Sequence, residues 1–223
     1  RKAMSGEPDF EGVRLCGVPD HVGNVECLWP FKDVTVYAEG SIGGLLLRDA
    51  TEWAIEEWNR VCGIHLVMTS NAKTAHIVNK PARLDGPSNV LAQCELPCGF
   101  SAPNNWRQLG MVCDLSEALV LAANPPANKI DAGRMICHEL GHGLGVGHIG
   151  SGNLMAPVYS TSIRSPQNGD IVEVRARYGT PVAAPAPTPS APAPTPVSPF
   201  NVPTEISFTL GGVVYRYGLK ASA

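Results

Sequence analysis

The apolar positions of the chain change period several times, and each change marks a predicted element. Val34, Val36 and Ala38 alternate with Thr35 and Tyr37, the period of a strand with one buried face. Gly40, Gly43 and Gly44 interrupt that run. From Leu45 onward, Leu46, Ala50, Trp53, Ala54, Trp58 and Val61 recur at three- and four-residue steps, which predicts an amphipathic helix closed by Gly63. Ile64 to Met68 and Ala75 to Val78 read as short strands around the polar turn Ser70-Asn71-Ala72-Lys73. The stretch from Pro81 to Asn128 reads as rich in loops, with apolar fragments at Val90-Leu91 and Met111-Val112. Asp131 suits the N-cap of a second helix whose buried side is Ala132, Met135, Ile136, Leu140 and Leu144. A last helix, about Pro166 to Tyr178, carries proline in its first turn and stops at Gly179.

Alternating Ala, Pro, Thr and Ser over residues 180–199 predict an extended linker that cannot form a core. Beyond it, Glu205–Leu210 and Val213–Tyr217 flank Gly211-Gly212, a hairpin signal. Two strands alone are marginal in water, so this tail either docks on something or begins a further module; its partner is not legible. The expected organisation is an extended amino-terminal segment (1–32), a domain with a single core (33–179), the linker (180–199) and the tail (200–223).

Composition narrows the function. The chain of 223 residues has 17 basic and 20 acidic side chains, net charge −3, which argues against nucleic acid or an anionic membrane as its main partner. No apolar run is long enough to span a bilayer. Arg1 as first residue leaves room for a start that has been removed, a signal peptide included. Seven cysteines and a Pro/Thr/Ala-rich tail predict an oxidising, extracellular setting. The odd count leaves at least one cysteine without an intramolecular partner.

The densest chemistry lies between His138 and His148: His138-Glu139-Leu140-Gly141-His142-Gly143-Leu144-Gly145-Val146-Gly147-His148. This is H-E-x-x-H extended by x-x-G-x-x-H. Residues four apart share a helix face, so His138 and His142 can offer two imidazoles to one zinc ion. Gly145 permits a left-handed turn that ends the helix and returns the chain to deliver His148 as a third ligand. Three protein ligands leave one position open, the arrangement of a catalytic rather than a structural zinc. Glu139 beside the first ligand can act as general base. A helix with coincidental histidines is the competing explanation, which the added glycine and histidine make remote.

This long motif, Met155 shortly after it, and the helix ending Arg177-Tyr178-Gly179 together resemble the matrixins, a branch of the metzincin zinc endopeptidases, over most of residues 14–179. The resemblance implies an α/β (α+β) fold: a twisted, mainly parallel sheet, two long helices behind it and a small lower subdomain. It implies that Met155 forms the Met-turn under the metal and that Pro157, Val158 and Tyr159 border the main specificity pocket. The activity it implies is cleavage of protein or peptide substrates, with an extended peptide pairing alongside a sheet edge.

Arg14-Leu15-Cys16-Gly17-Val18-Pro19-Asp20 resembles the family's cysteine switch, in which a thiolate occupies the open zinc position and holds a zymogen latent. It departs from the pattern in placing Leu15, not arginine, directly before Cys16. The competing assignment is a Cys16–Cys27 disulfide; Cys94 and Cys98 are spaced for a loop-closing bridge of their own, and Cys137 reads as a small buried residue. Asp85-Gly86-Pro87 resembles the family's loop into a structural-zinc histidine, but Gln93 and Val112 stand where the resemblance puts histidines, so a second zinc is not expected. Asp114 and Glu117, with Asp85, match a calcium-binding acidic set, against the alternative of solvated surface acids. His21, His65 and His76 read as surface or strand residues. Two further functional classes stay open: a catalytically silent zinc-binding secreted protein, and a module anchored to a surface by its tail.

Overall fold

The computed structural model describes residues 27–181 and, in the tail, the strands at 205–210 and 213–218. Contacts divide the chain into two units, residues 1–182 and 183–223.

The first unit opens with β1 (Asp33–Ala38), the antiparallel pair β2 (Ser41–Ile42) and β3 (Leu45–Leu46), and helix α1 (Leu47–Asn59). Then come β4 (His65–Met68), β5 (Ile77–Ala82), β6 (Ala92–Cys94), β7 (Leu109–Asp114), β8 (Leu119–Val120), β9 (Ile130–Asp131), α2 (Ala132–Gly143) and α3 (Asn168–Tyr178). Five strands form one sheet in the order β4-β1-β5-β7-β6. The four from β4 to β7 run parallel, and β6 is an antiparallel edge. This is the α/β architecture that the matrixin resemblance implied. In the second unit β10 (Glu205–Leu210) and β11 (Val213–Gly218) pair antiparallel across Gly211-Gly212. None of the helices among the described residues is long and apolar enough to cross a membrane.

The stretch expected to be mostly loop contains β6, β7 and β8 and supplies the strand next to the edge. In β7 the buried Leu109, Met111 and Cys113 alternate with the half-buried Gly110 and Val112. The period of two is present, but glycine and cysteine dilute its β-propensity, and long sheet neighbours rather than local preference hold it. Strand β5 likewise continues past the expected end, through Pro81, which sits opposite Cys113.

Between sheet and helices lies one core. Helix α1 buries Leu47, Ala50, Ala54, Ile55 and Trp58. The indole Nε1 of Trp58 donates to the carbonyl of Cys137 on α2 at 2.7 Å, so the largest ring of this interface has its polar atom satisfied. Every residue of α2 is buried, and its glycines Gly133, Gly141 and Gly143 let neighbouring side chains approach closely. The tight contact at Gly141 illustrates it: a Cβ there would stand 2.3 Å from the sulfur of Met155 and 2.8 Å from Trp58.

Two features of the amino-terminal segment correct the sequence reading. Cys27 is bonded to Cys98, not to Cys16, and Cys94 is a buried residue of β6 rather than the partner of Cys98. Cys94 points inward from β6 toward Gly143, whereas Cys98 lies past the strand end and bridges to Cys27 in register. Trp29 is in the core, 2 % exposed, so residues from Cys27 onward are built into the domain. Cys16, Arg14, Asp20 and His21 lie outside the described residues.

Candidate metal centre

Helix α2 begins where β9 ends, and Asp131 caps it as expected: its carboxylate accepts from the Gly133 amide at 3.0 Å. The same carboxylate pairs with Arg164, whose guanidinium stacks 3.9 Å over the Trp53 ring. The helix ends at Gly143, and Gly145 then takes φ +82°. A Cβ at Gly145 would fall 1.8 Å from the carbonyl oxygen of Cys27, so glycine is required by conformation and by space together. Trp29 Nε1 donates to Gly143 O at 2.8 Å and the Tyr178 hydroxyl to Leu144 O at 3.0 Å. Carbonyls left open at the helix end are thus satisfied by side chains from both ends of the domain.

The turn brings His148 back to the helix, and the ligand atoms of His138, His142 and His148 lie within 4.8 Å of one another. No other group of three or more His, Cys, Asp or Glu side chains among the described residues is placed to hold a metal. Nδ1 of His138 lies 2.8 Å from the Leu154 carbonyl, and Nδ1 of His142 lies 2.8 Å from the Val146 carbonyl. A carbonyl can only accept, so both Nδ1 atoms carry the proton and both Nε2 atoms present a lone pair. Those two Nε2 atoms are 3.1 Å apart. Two acceptors at that distance repel unless a cation lies between them or near both. Burial, then the neighbouring His142, holds the protonation of His138 well below 6.5, so a proton fills that role poorly. The residues fit a metal ion, and three imidazoles suit zinc.

Glu139 is fully buried, and neither of its carboxylate oxygens has a hydrogen-bond partner of normal geometry. Burial raises its pKa well above the ordinary carboxylate range, and the Cys94 backbone amide offsets this in part. A buried carboxylate with so little hydrogen-bonding, on the residue that follows His138, is poised to exchange a proton with something brought into the site.

Met155 is fully buried, with its sulfur and methyl against Gly141, between the two helical histidines. Its loop is held by a residue that sequence reasoning missed. The carboxylate of Asp170 on α3, fully buried, accepts from the amides of Leu154 (2.7 Å), Met155 (3.0 Å) and Gln167 (2.7 Å). Because the Leu154 carbonyl in turn fixes His138, α3 reaches the histidines through this loop. A local signal existed: Gln167 and Asp170, three apart, form a capping box at the start of α3.

Of the other candidate residues, Val158 is exposed and Pro157 half-buried, while Tyr159 turns inward, 1 % exposed. Its hydroxyl accepts from the Asp131 amide at 3.0 Å, and the Arg134 guanidinium lies 4.8 Å from its ring centre. The acids Asp85, Asp114 and Glu117 do meet around one loop. Oδ2 of Asp114 accepts from the amides of Leu84, Asp85 and Gly86 at 3.1–3.3 Å, and Oδ1 accepts from Ser116 N and Oγ. Burial pushes the Asp114 pKa up, but these donors outweigh it and leave it below the usual value. Glu117 Oε1 accepts from Ser88 N at 2.8 Å, its Oε2 is buried without a partner, and burial raises its pKa. Gln93 and Val112 are register partners on β6 and β7. His65 contacts Asp33 at the surface, and His76 sits among the Phe31 and Trp106 rings.

Helices backing a mostly parallel sheet, with imidazoles converged at the end of one of them, define a metallopeptidase scaffold. The relationship is visible in the sequence as a whole. Residues 45–179, more than half of the chain, match the matrixin family model, and the chain belongs to the matrixins. No curated protein matches it.

Proposed function

We propose that the protein is a secreted zinc-dependent endopeptidase, with His138, His142 and His148 holding the ion and Glu139 as its general base. The observation that carries this is the pair of Nε2 lone pairs 3.1 Å apart, with His148 joining them and the buried Glu139 next to His138 in the helix. Zinc, when bound, supplies a Lewis acid that polarises the scissile carbonyl and makes water nucleophilic near neutral pH. Glu139 takes the proton of that water and delivers it to the leaving amine, and its raised proton affinity matches the second half of that task. Among the described residues strand β6 is the antiparallel edge of the sheet and packs beside α2, and an extended substrate backbone pairs there while one side chain enters beside Pro157, Val158 and Tyr159. The test is metal analysis together with cleavage of an unstructured protein. One zinc per chain and turnover that Glu139→Gln reduces about 10²–10⁴-fold with zinc retained are expected. Unchanged cleavage in that variant refutes the mechanism.

Latency through Cys16 belongs to the same reading. Its support is that Cys27, the competing partner for Cys16, is engaged by Cys98. Trimming the chain just before Cys27 is expected to raise activity at constant zinc content; equal activity before trimming removes the switch. For the acidic loop, the observations favour a clasp over a calcium site. The N–H groups aimed at Asp114 turn the corresponding carbonyls away, where a hard cation would need them. Calcium is therefore expected to leave the melting temperature unchanged, and a rise with calcium restores the ion-binding reading.

A further inference from the structure

The Cys27–Cys98 disulfide joins two stretches far apart in sequence, and one of them touches the turn that delivers His148. The two cysteines face each other as an isolated antiparallel bridge. Cys98 is exposed, in the loop between β6 and β7, while Cys27 is 3 % exposed. The carbonyl of Cys27 lies against Gly145, where an added Cβ would meet its oxygen at 1.8 Å. Two residues on, Trp29 donates to Gly143 O at the end of α2. The Cys27 backbone is thus the wall behind the left-handed turn, and the disulfide ties that wall to an exposed loop.

The turn carries the third histidine. Its first half is bound to α2: Val146 N donates to Gly141 O at 2.9 Å, and the Val146 carbonyl accepts from His142 Nδ1. His148 follows two residues later and is half-buried. Its place depends on the course of the chain through Gly145, which the Cys27 carbonyl limits.

The other described cysteines, Cys62, Cys94, Cys113 and Cys137, are all buried. Burial pushes the Cys62 thiol up to about 11 and raises those of Cys113 and Cys137 as well, so these three stay protonated and do not attack the bond. A disulfide with one exposed cysteine, among buried and unreactive thiols, opens and recloses with the same partners.

We propose that the Cys27–Cys98 disulfide is a redox-sensitive latch on the metal centre: closed, it fixes the turn into His148, and opened by an external dithiol it lets that turn relax and lowers zinc affinity. One thiolate of the dithiol attacks the Cys98 sulfur, and Cys27 leaves as a thiolate that takes up a proton. The second thiol of the reductant then displaces Cys98 from the mixed disulfide, leaving two cysteine thiols and one oxidised, cyclic dithiol. The latch rests on the reading of His138, His142 and His148 as zinc ligands.

Chelator competition on the whole chain measures zinc affinity in each redox state. Dithiols themselves bind zinc, so tris(2-carboxyethyl)phosphine opens the bond in the assay. The oxidised chain should hold one zinc; no zinc there refutes the ligand reading itself, and the latch with it. With zinc bound, reduction is expected to weaken it about tenfold or more, and reoxidation to restore it. Cys27→Ser with Cys98→Ser should match the reduced chain and ignore the phosphine. Leu66→Ala, buried on β4 at the opposite edge of the sheet from β6, is the control for stability alone and should lower the urea midpoint without changing zinc affinity. Unaltered affinity in the reduced chain or the double variant overturns the proposal. So does a response of the double variant to phosphine equal to that of the wild type. An equal loss of affinity in Leu66→Ala, or loss of the folded circular-dichroism signal on reduction, also overturns it, because zinc then leaves with the fold.

Discussion

Replacing Gly145 by alanine tests how the turn into His148 is held. Two costs add there. At φ +82° an alanine meets the left-handed penalty of about 1–2 kcal/mol. Its Cβ would also stand 1.8 Å from the Cys27 carbonyl oxygen and 2.8 Å from the carbonyl carbon, so the backbones must part by more than 1 Å. Cys27 cannot yield easily, being bonded to Cys98 and followed by the buried Trp29. Overpacking of this kind costs about 1–3 kcal/mol, and against backbone the upper end applies, for a total of about 3–5 kcal/mol. Gly152 is the matched control, with φ +86° and nothing within 4 Å of an added Cβ. Gly152→Ala should cost the conformational penalty alone, about 1–2 kcal/mol. Urea unfolding of the metal-free proteins measures both, and chelator competition measures zinc affinity. Gly145→Ala should weaken zinc at least tenfold with all three histidines present, and Gly152→Ala should not. Equal destabilisation by the two substitutions, or unaltered zinc affinity in Gly145→Ala, refutes the claim that the Cys27 backbone shapes the third ligand's position.

Other consequences can be measured on the same material. Removing the disulfide as Cys27→Ser with Cys98→Ser opens a loop of sequence separation 71, worth about 4 kcal/mol in chain entropy, read as a fall in the urea midpoint with a steeper slope, because the unlinked unfolded chain exposes more surface. Asp170→Ala strands the buried amides of Leu154, Met155 and Gln167 and is expected to cost about 3–5 kcal/mol and to weaken zinc, because the Leu154 carbonyl orients His138. His76 accepts from the Thr35 amide through Nδ1 at 2.8 Å, and burial lowers its pKa from 6.5. The unfolded chain therefore binds the extra proton first as pH falls below about 6.5, and stability drops from there down to the folded pKa. His76→Phe should flatten that part of the pH–stability profile, and an unchanged slope would show that the ring does not titrate as argued.

Much of the local structure was legible in the chain's own periodicities. The alternation at Val34–Ala38, the three-four spacing from Leu45, the Asp131 cap and the paired strands around Gly211-Gly212 all appear as elements with boundaries shifted by a few residues. The His138–His148 spacing was enough to predict that three imidazoles converge, because a helix face and one left-handed glycine are local geometry. What tertiary structure decided is every choice of a distant partner. Nothing near Cys98 in sequence distinguishes Cys27 from Cys94, since the choice depends on which side chain points into the core from β6. Strand β7 is a strand because β5 and β6 flank it, and Asp170 serves the Met155 loop because α3 packs where it does. The hydrogen bond from the Asp131 amide to the Tyr159 hydroxyl, 28 residues on, is likewise a product of the tertiary fold. Spacing along a chain encodes contacts within about one helical turn or one pleat; contacts across 70 or more residues, such as Cys27 with Cys98, exist only once the sheet order is set.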